Sequence, residues 1–73
     1  MKISYKKLWK MLIDKDMTRR DLRRLTGIST TSVAKMGKGE NVQTDILLRI
    51  CKVLNCDITE IMEIEYDESD NPQ

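Results

Sequence analysis

The side chains of this chain that offer chemistry are cations and hydroxyls rather than acid–base or nucleophilic pairs. Arg19, Arg20, Arg23 and Arg24 form a basic run, and Thr30, Thr31, Ser32 and Lys35 follow soon after it. Such groups supply hydrogen bonds and positive charge, which is the chemistry of holding a polyanion. The plainer reading of the arginines is a solvated face, since surface arginine is common. Histidine is absent. That removes the commonest general base, the commonest metal ligand and every Ser–His or Cys–His nucleophile. Cys51 and Cys56 cannot make a four-ligand zinc site alone. They read as small buried hydrophobes in a reducing compartment, not as a redox or metal pair. Most enzymes are thereby excluded, and no enzymatic activity, cofactor or metal is expected.

At 73 residues there is room for one small domain with one hydrophobic core. The composition, 40% hydrophobic, 34% charged and 4% aromatic, suits a soluble helical domain rather than a sandwich or barrel. Apolar runs are too short to span a bilayer, and the basic stretch Met1–Lys7 leads into no apolar segment. Neither a membrane span nor a secretory signal is expected, and the predicted location is cytoplasmic. The formal net charge of +1 hides a sharp division. Residues 1–56 carry all 13 Lys and Arg against five acids, a balance of +8, whereas residues 57–73 carry seven acids and no base. This asymmetry fits a polyanion-binding body with an acidic tail, or simply two solvated faces.

Helices must position these groups, and the spacing predicts five of them in an all-α chain. Tyr5, Leu8, Trp9 and Leu12 share one face of a helix opened by Ser4. Trp9 and Tyr5 could stack on single strands, but that spacing places them in the core. Thr18, with Asp21 three residues on, opens a short second helix over Arg19–Thr26 whose Leu22 and Leu25 face inward. Gly27 ends it with a left-handed residue, Ile28 anchors the turn, and Ser29 caps a third helix running to about Lys38. Val33 and Met36 face inward, and Thr30, Thr31, Ser32 and Lys35 face out. Ile46, Leu47, Ile50, Cys51 and Leu54 form the stripe of a fourth helix, opened by Gln43 or Thr44 and closed by Asn55. Asp57 caps a short fifth helix with Ile58, Ile61 and Met62 inward. The alternation around Ile64 and Tyr66 allows a short edge strand at 63–66. The expected domain is 1–63, with an acidic, largely disordered tail over 64–73.

A capped helix, a glycine turn with one apolar anchor, and a second capped helix make a helix-turn-helix over about residues 18–39. Its core positions are Leu22, Gly27, Ile28 and Val33. The second helix of such a unit fits the major groove of duplex DNA. Here the sequence resembles a known family. The stretch from Met17 to Met36 matches the Leu, Gly and apolar positions of the lambda-repressor-like, Cro/C1-type (XRE) helix-turn-helix domains in order. Leu47-Leu48-Arg49-Ile50-Cys51-Lys52-Val53-Leu54 resembles that family's fourth helix. The resemblance covers positions 3–62, and it is closest to short single-domain members ending in an acidic tail.

The resemblance implies roles for particular residues. Thr30, Thr31 and Lys35 fall where the family contacts bases. Arg19, Ser32, Lys38 and Asn41 fall where it contacts the DNA backbone. A homodimer is implied too, with Ile61, Ile64 and Tyr66 at its interface. The chain departs from the pattern at three places. Arg23 replaces the usual Ala at the helix crossing, so that its stem lies along the crossing with the guanidinium in solvent, or the angle changes. Gly37 stands where Glu is frequent, and Gln43 replaces a Ser or Thr cap. The function implied is sequence-specific double-stranded DNA binding by a bacterial or phage transcriptional regulator, repressor-like, without a small-molecule effector domain. The alternative is an antitoxin-like or adaptor module that holds a protein on the same fold. The tail is an inert solubilising end, a cover for the basic face, or a contact for a basic partner.

Overall fold

Leu8 and Leu12 sit one turn apart with Tyr5 before them, and the burial of this row builds the first side of the core. The computed structural model describes residues 1–67. Its elements are β1 (Lys2–Ser4), α1 (Lys6–Asp14), α2 (Arg19–Thr26), α3 (Thr30–Gly37), α4 (Thr44–Leu54), a single 3-10 turn (Ile58–Glu60) and β2 (Glu63–Glu65). Over the described residues the chain is mostly helical, with four α-helices where five were expected and a small two-stranded sheet in a chain expected to be all-α. The segment expected as a fifth helix makes one turn only. Glu60 accepts from the Asp57 N–H at 2.7 Å, and Ile61 then drops into the core at 0% exposure, turning the chain toward β2.

The expected edge strand is present as β2, and its partner is a strand that the sequence pattern does not reveal. β1 and β2 pair antiparallel, with Lys2 opposite Glu65, Ile3 opposite Ile64 and Ser4 opposite Glu63. Ile64 and Glu65, placed beyond the boundary expected at residue 63, therefore belong to the sheet. The remainder of the expected tail, residues 68–73, lies outside the described residues. Ser4 is not the cap of α1; it sits in β1, buried, and Tyr5 occupies the N-cap position.

The middle of the chain follows its local chemistry closely. Thr18 and Asp21 make a reciprocal capping box at α2, with bonds of 3.1 Å and 3.0 Å. Gly27 ends the helix at φ 74°. Asn55, at φ 52°, closes α4, while Gln43 opens it without a side-chain cap bond. Leu22, Ile28, Met36, Leu47, Ile50 and Leu54 meet Tyr5, Leu8, Leu12 and Ile61 in one core. Leu25 departs from its expected inward position and is 54% exposed. Thr26 takes the inner position one turn after Leu22, and its hydroxyl donates to the Leu22 carbonyl at 2.7 Å. Cys51 and Cys56 are half-buried free thiols, and burial raises the pKa of each. Among the described residues, no helix is long and apolar enough to cross a membrane.

Two stability measurements follow. In urea unfolding, Leu22→Ala should cost about 2–5 kcal/mol by opening a cavity, while Leu25→Ala should stay within about 0.5 kcal/mol; equal losses would contradict the burial described. The second concerns acid. The Thr18 backbone N–H, then its side chain, then Arg24 and Arg20, hold the Asp21 carboxyl below its ordinary pKa of 3.8. A depressed folded pKa gives stability that is complete above the unfolded value and lost as pH falls through the folded one. Asp21→Asn should therefore soften the fall in melting temperature below pH about 4, and an unchanged acid limb would remove Asp21 from that account.

Candidate nucleic-acid interface

α3 begins where Ser29, in extended backbone, accepts the Ser32 N–H at 3.1 Å. Its hydroxyl also shares a 3.0 Å hydrogen bond with that of Ser32. With the start fixed, the helix buries Met36 and half-buries Val33 against Ile28, while Thr30, Thr31 and Lys35 stand exposed on its outer side. Thr31 and Lys35 are four residues apart and so share one face. Lys38 ends the helix and Asn41 follows in the loop, both exposed. That loop is anchored from below. The buried Tyr5 hydroxyl donates to the Glu40 carbonyl at 3.2 Å, and burial raises the pKa of that phenol. Gly39, at φ 73°, passes so close to β1 that a Cβ would lie 3.0 Å from the Ile3 carbonyl.

α2 contributes two arginines in arrangements that the sequence did not disclose. The Arg19 guanidinium lies over the Trp9 ring, 4.0 Å from its centroid. The same group reaches the end of α3, where a Cβ at Gly37 would fall 2.9 Å from Nη1. Trp9 is half-buried and packs on the core, as its spacing predicted, yet its remaining face holds a cation. Arg23, at the helix crossing, is half-buried, and its guanidinium is not left to solvent alone as expected. Its Nη1 donates to Thr30 Oγ1 at 2.6 Å, so the side chain spans the turn and ties α2 to the first residue of α3. An arginine in place of alanine was the visible signal; its partner was not. Arg19 and Lys38 thus stand toward the end of α3, and Arg23 with Thr30 at its start.

The lysines at the sheet are paired with carboxylates, and most of the cations of α2 and α3 are not. At the sheet, Glu65 lies 3.8 Å from Lys2 and 3.2 Å from Lys6, and Glu63 lies 3.9 Å from Lys7. Hydrogen bonding to Lys6 and then to Ser4, with the charges of Lys6 and Lys2, holds the Glu65 carboxyl below its usual range. Around α2 and α3, Arg24 pairs with Asp21 at 3.5 Å. Arg19, Arg20, Arg23, Lys35 and Lys38 have no ion pair with a carboxylate among the described residues. The residues expected at a dimer interface do not stay together. Ile61 is fully buried inside its own protomer, where it seals the core, and offers nothing to a second copy. Ile64 and Tyr66 are exposed, at 51% and 57%. Among the described residues, no cluster of three or more Cys, Asp or Glu could hold a metal ion.

Comparison with known proteins adds three findings. Residues 7–67 match the Cro/C1-type HTH DNA-binding domain. The crystal structure of the transcriptional regulator VanUg, form II, is 52% identical in sequence and superposes with a TM-score of 0.83, covering 85% of this chain and 83% of that one. No curated protein matches. The geometry of α3 rests on its cap, so Ser29→Ala should lower stability by about 1 kcal/mol and speed amide exchange at Ser32. Unchanged exchange there would show that Ser29 does not hold the helix start.

Proposed function

The chain belongs to the Cro/C1-type helix-turn-helix DNA-binding domains, and from that premise we propose that it is a sequence-specific regulator of transcription, bacterial or phage in origin and repressor-like, that reads duplex DNA through α3 in the major groove. One observation carries this reading: the capped α3 exposes Thr30, Thr31 and Lys35 on its outer side, with Arg19, Arg23 and Lys38 nearby in no ion pair with a described carboxylate. The relative VanUg, a transcriptional regulator by its name, supports the regulatory role.

In this reading Thr31 and Lys35 touch base edges, Lys donating to guanine O6 and N7 and Thr to base or phosphate. Thr30 joins them through the donor side of its hydroxyl. Arg19, Ser32, Lys38 and Asn41 meet the DNA backbone. Ser32 does so from a hydroxyl already shared with Ser29, which leaves it two further hydrogen bonds to make. A second copy pairs across the sheet end, where Ile64 and Tyr66 are exposed, and sets two α3 helices about 34 Å apart on one side of the duplex. The protein acts in the cytoplasm without a cofactor.

The test begins by selecting duplexes from a random pool and following binding by fluorescence anisotropy at several salt concentrations. Binding should weaken steeply with salt as counterions are released. Thr31→Ala and Lys35→Ala should each lose about 1–3 kcal/mol of preference for the selected duplex over random DNA. Retention of the full preference in both variants would show that other residues read the sequence. A parent protein that binds no duplex at low salt, yet retains a protein partner through high salt, would transfer the fold to an interaction role.

A further inference from the structure

We propose that Trp9 and Gly37 are positioning residues for Arg19, and that together they hold its guanidinium ready for a DNA phosphate. The inference rests on the proposed DNA binding and adds residues that themselves touch no nucleic acid. Arg19 is exposed, and an exposed arginine samples many rotamers that it must give up on binding. Here the search is already narrowed from two sides. The Trp9 ring takes the face of the cation at 4.0 Å, an attraction through the ring's negative face that engages none of the five guanidinium N–H groups. On the other side Gly37 leaves the space that the group fills, since a Cβ there would come within 2.9 Å of Nη1 and 3.9 Å of Cζ. Arg19 forms no ion pair with a described carboxylate, so its charge is not spent inside the protein. A guanidinium held by its face, charged and with its donors uncommitted is arranged to grip an anion. It also sits beside the end of α3, the helix proposed to lie in the groove.

A purely structural role, stapling α1 to α2, would use the same Trp9 contact, and the two roles separate experimentally. Gly37 is the last residue of α3 and is not in the left-handed region, so alanine fits its backbone and favours the helix. Gly37→Ala should therefore keep or raise the melting temperature while pushing the guanidinium aside. Binding to the selected duplex should weaken about two- to fivefold per protomer in Gly37→Ala and in Trp9→Leu, the size of an exposed cation–π contact. Trp9→Tyr, which keeps an aromatic face, should restore most of the loss. In an Arg19→Gln background, itself showing a salt slope smaller by about 0.9 per lost phosphate contact, neither change should weaken binding further. Trp9 is the sole tryptophan, so its emission should shift in Gly37→Ala without DNA, reporting the broken stack. Full affinity in Gly37→Ala with a shifted emission, or equal losses with and without Arg19, overturns the positioning role and leaves the proposed function standing. A parent that binds no duplex overturns both.

Discussion

The left-handed turn at Gly27, two residues before the Ser29 cap, is the constraint on which the arrangement of α2 and α3 depends. Were α2 to continue, Ile28 would rotate off the core and α3 would lose its start. Around this point the chain leaves little choice. Thr26 spends its hydroxyl on the Leu22 carbonyl and accepts the Ile28 N–H at 3.4 Å, so the polar groups of the turn are satisfied where water is scarce. Ile28 then fills the gap between the helices at 5% exposure. Arg23 crosses the same turn on the outside and grips Thr30. An apolar plug within and a charged strut without fix one angle from two sides, and the outer face of α3 inherits that angle.

The distribution of charge answers a second question, why a chain with a net charge of +1 suits a polyanion. Its acids beyond residue 56 begin at the sheet, and there Glu63 and Glu65 neutralise the lysines of β1 and α1. Exposed pairs of this kind add little stability. Their effect is on the field: with the lysines at the sheet paired, Arg19, Arg20, Arg23, Lys35 and Lys38 stand among the cations that have no carboxylate partner among the described residues, and such a set attracts a polyanion. β2 thus does two things with three residues, closing the core behind Ile61 and pairing the lysines of β1 and α1.

What was legible in the sequence was whatever is decided within one helical turn. Thr18 with Asp21, Gly27, Ile28, Ser29, and the stripe of Leu47, Ile50 and Leu54 all act over three or four residues, and each stands where its local chemistry puts it. The expectations that shifted were settled at long range. β1 is three residues with no alternation of its own, visible only through a partner sixty positions away. Ile61 reads in the sequence both as inward-facing and as part of a dimer face; it is fully buried in the core, and the segment expected as a fifth helix makes one turn only. Leu25 fitted an apolar period that the short α2 does not use, because Thr26 closes its inner face. In the candidate interface Thr30, Thr31 and Lys35 of α3 are exposed as read, Ser32 is half-buried against the Ser29 hydroxyl, and the partners of Arg19 and Arg23 were hidden for the same reason: Trp9, Gly37 and Thr30 lie on other helices.

The internal hydrogen bonds also decide what kind of partner α3 suits. A hydroxyl both donates and accepts, so an isolated threonine is indifferent to the polarity of what it meets. Thr30 is not isolated: it accepts from Arg23 Nη1 at 2.6 Å, which leaves its O–H and a single lone pair for any further partner. Lys35, like Arg23, can only donate. At the start and middle of α3 the exposed groups are therefore weighted toward donors, with Thr31 the member that adapts. Phosphate oxygens and the acceptor edges of guanine match such a surface, whereas the exposed amino groups of cytosine and adenine do not. The Arg23–Thr30 bond thus does more than brace the turn. It places a guanidinium beside the first residue of α3, and an arginine at a position where a small residue would pack more simply becomes intelligible as part of the proposed recognition surface.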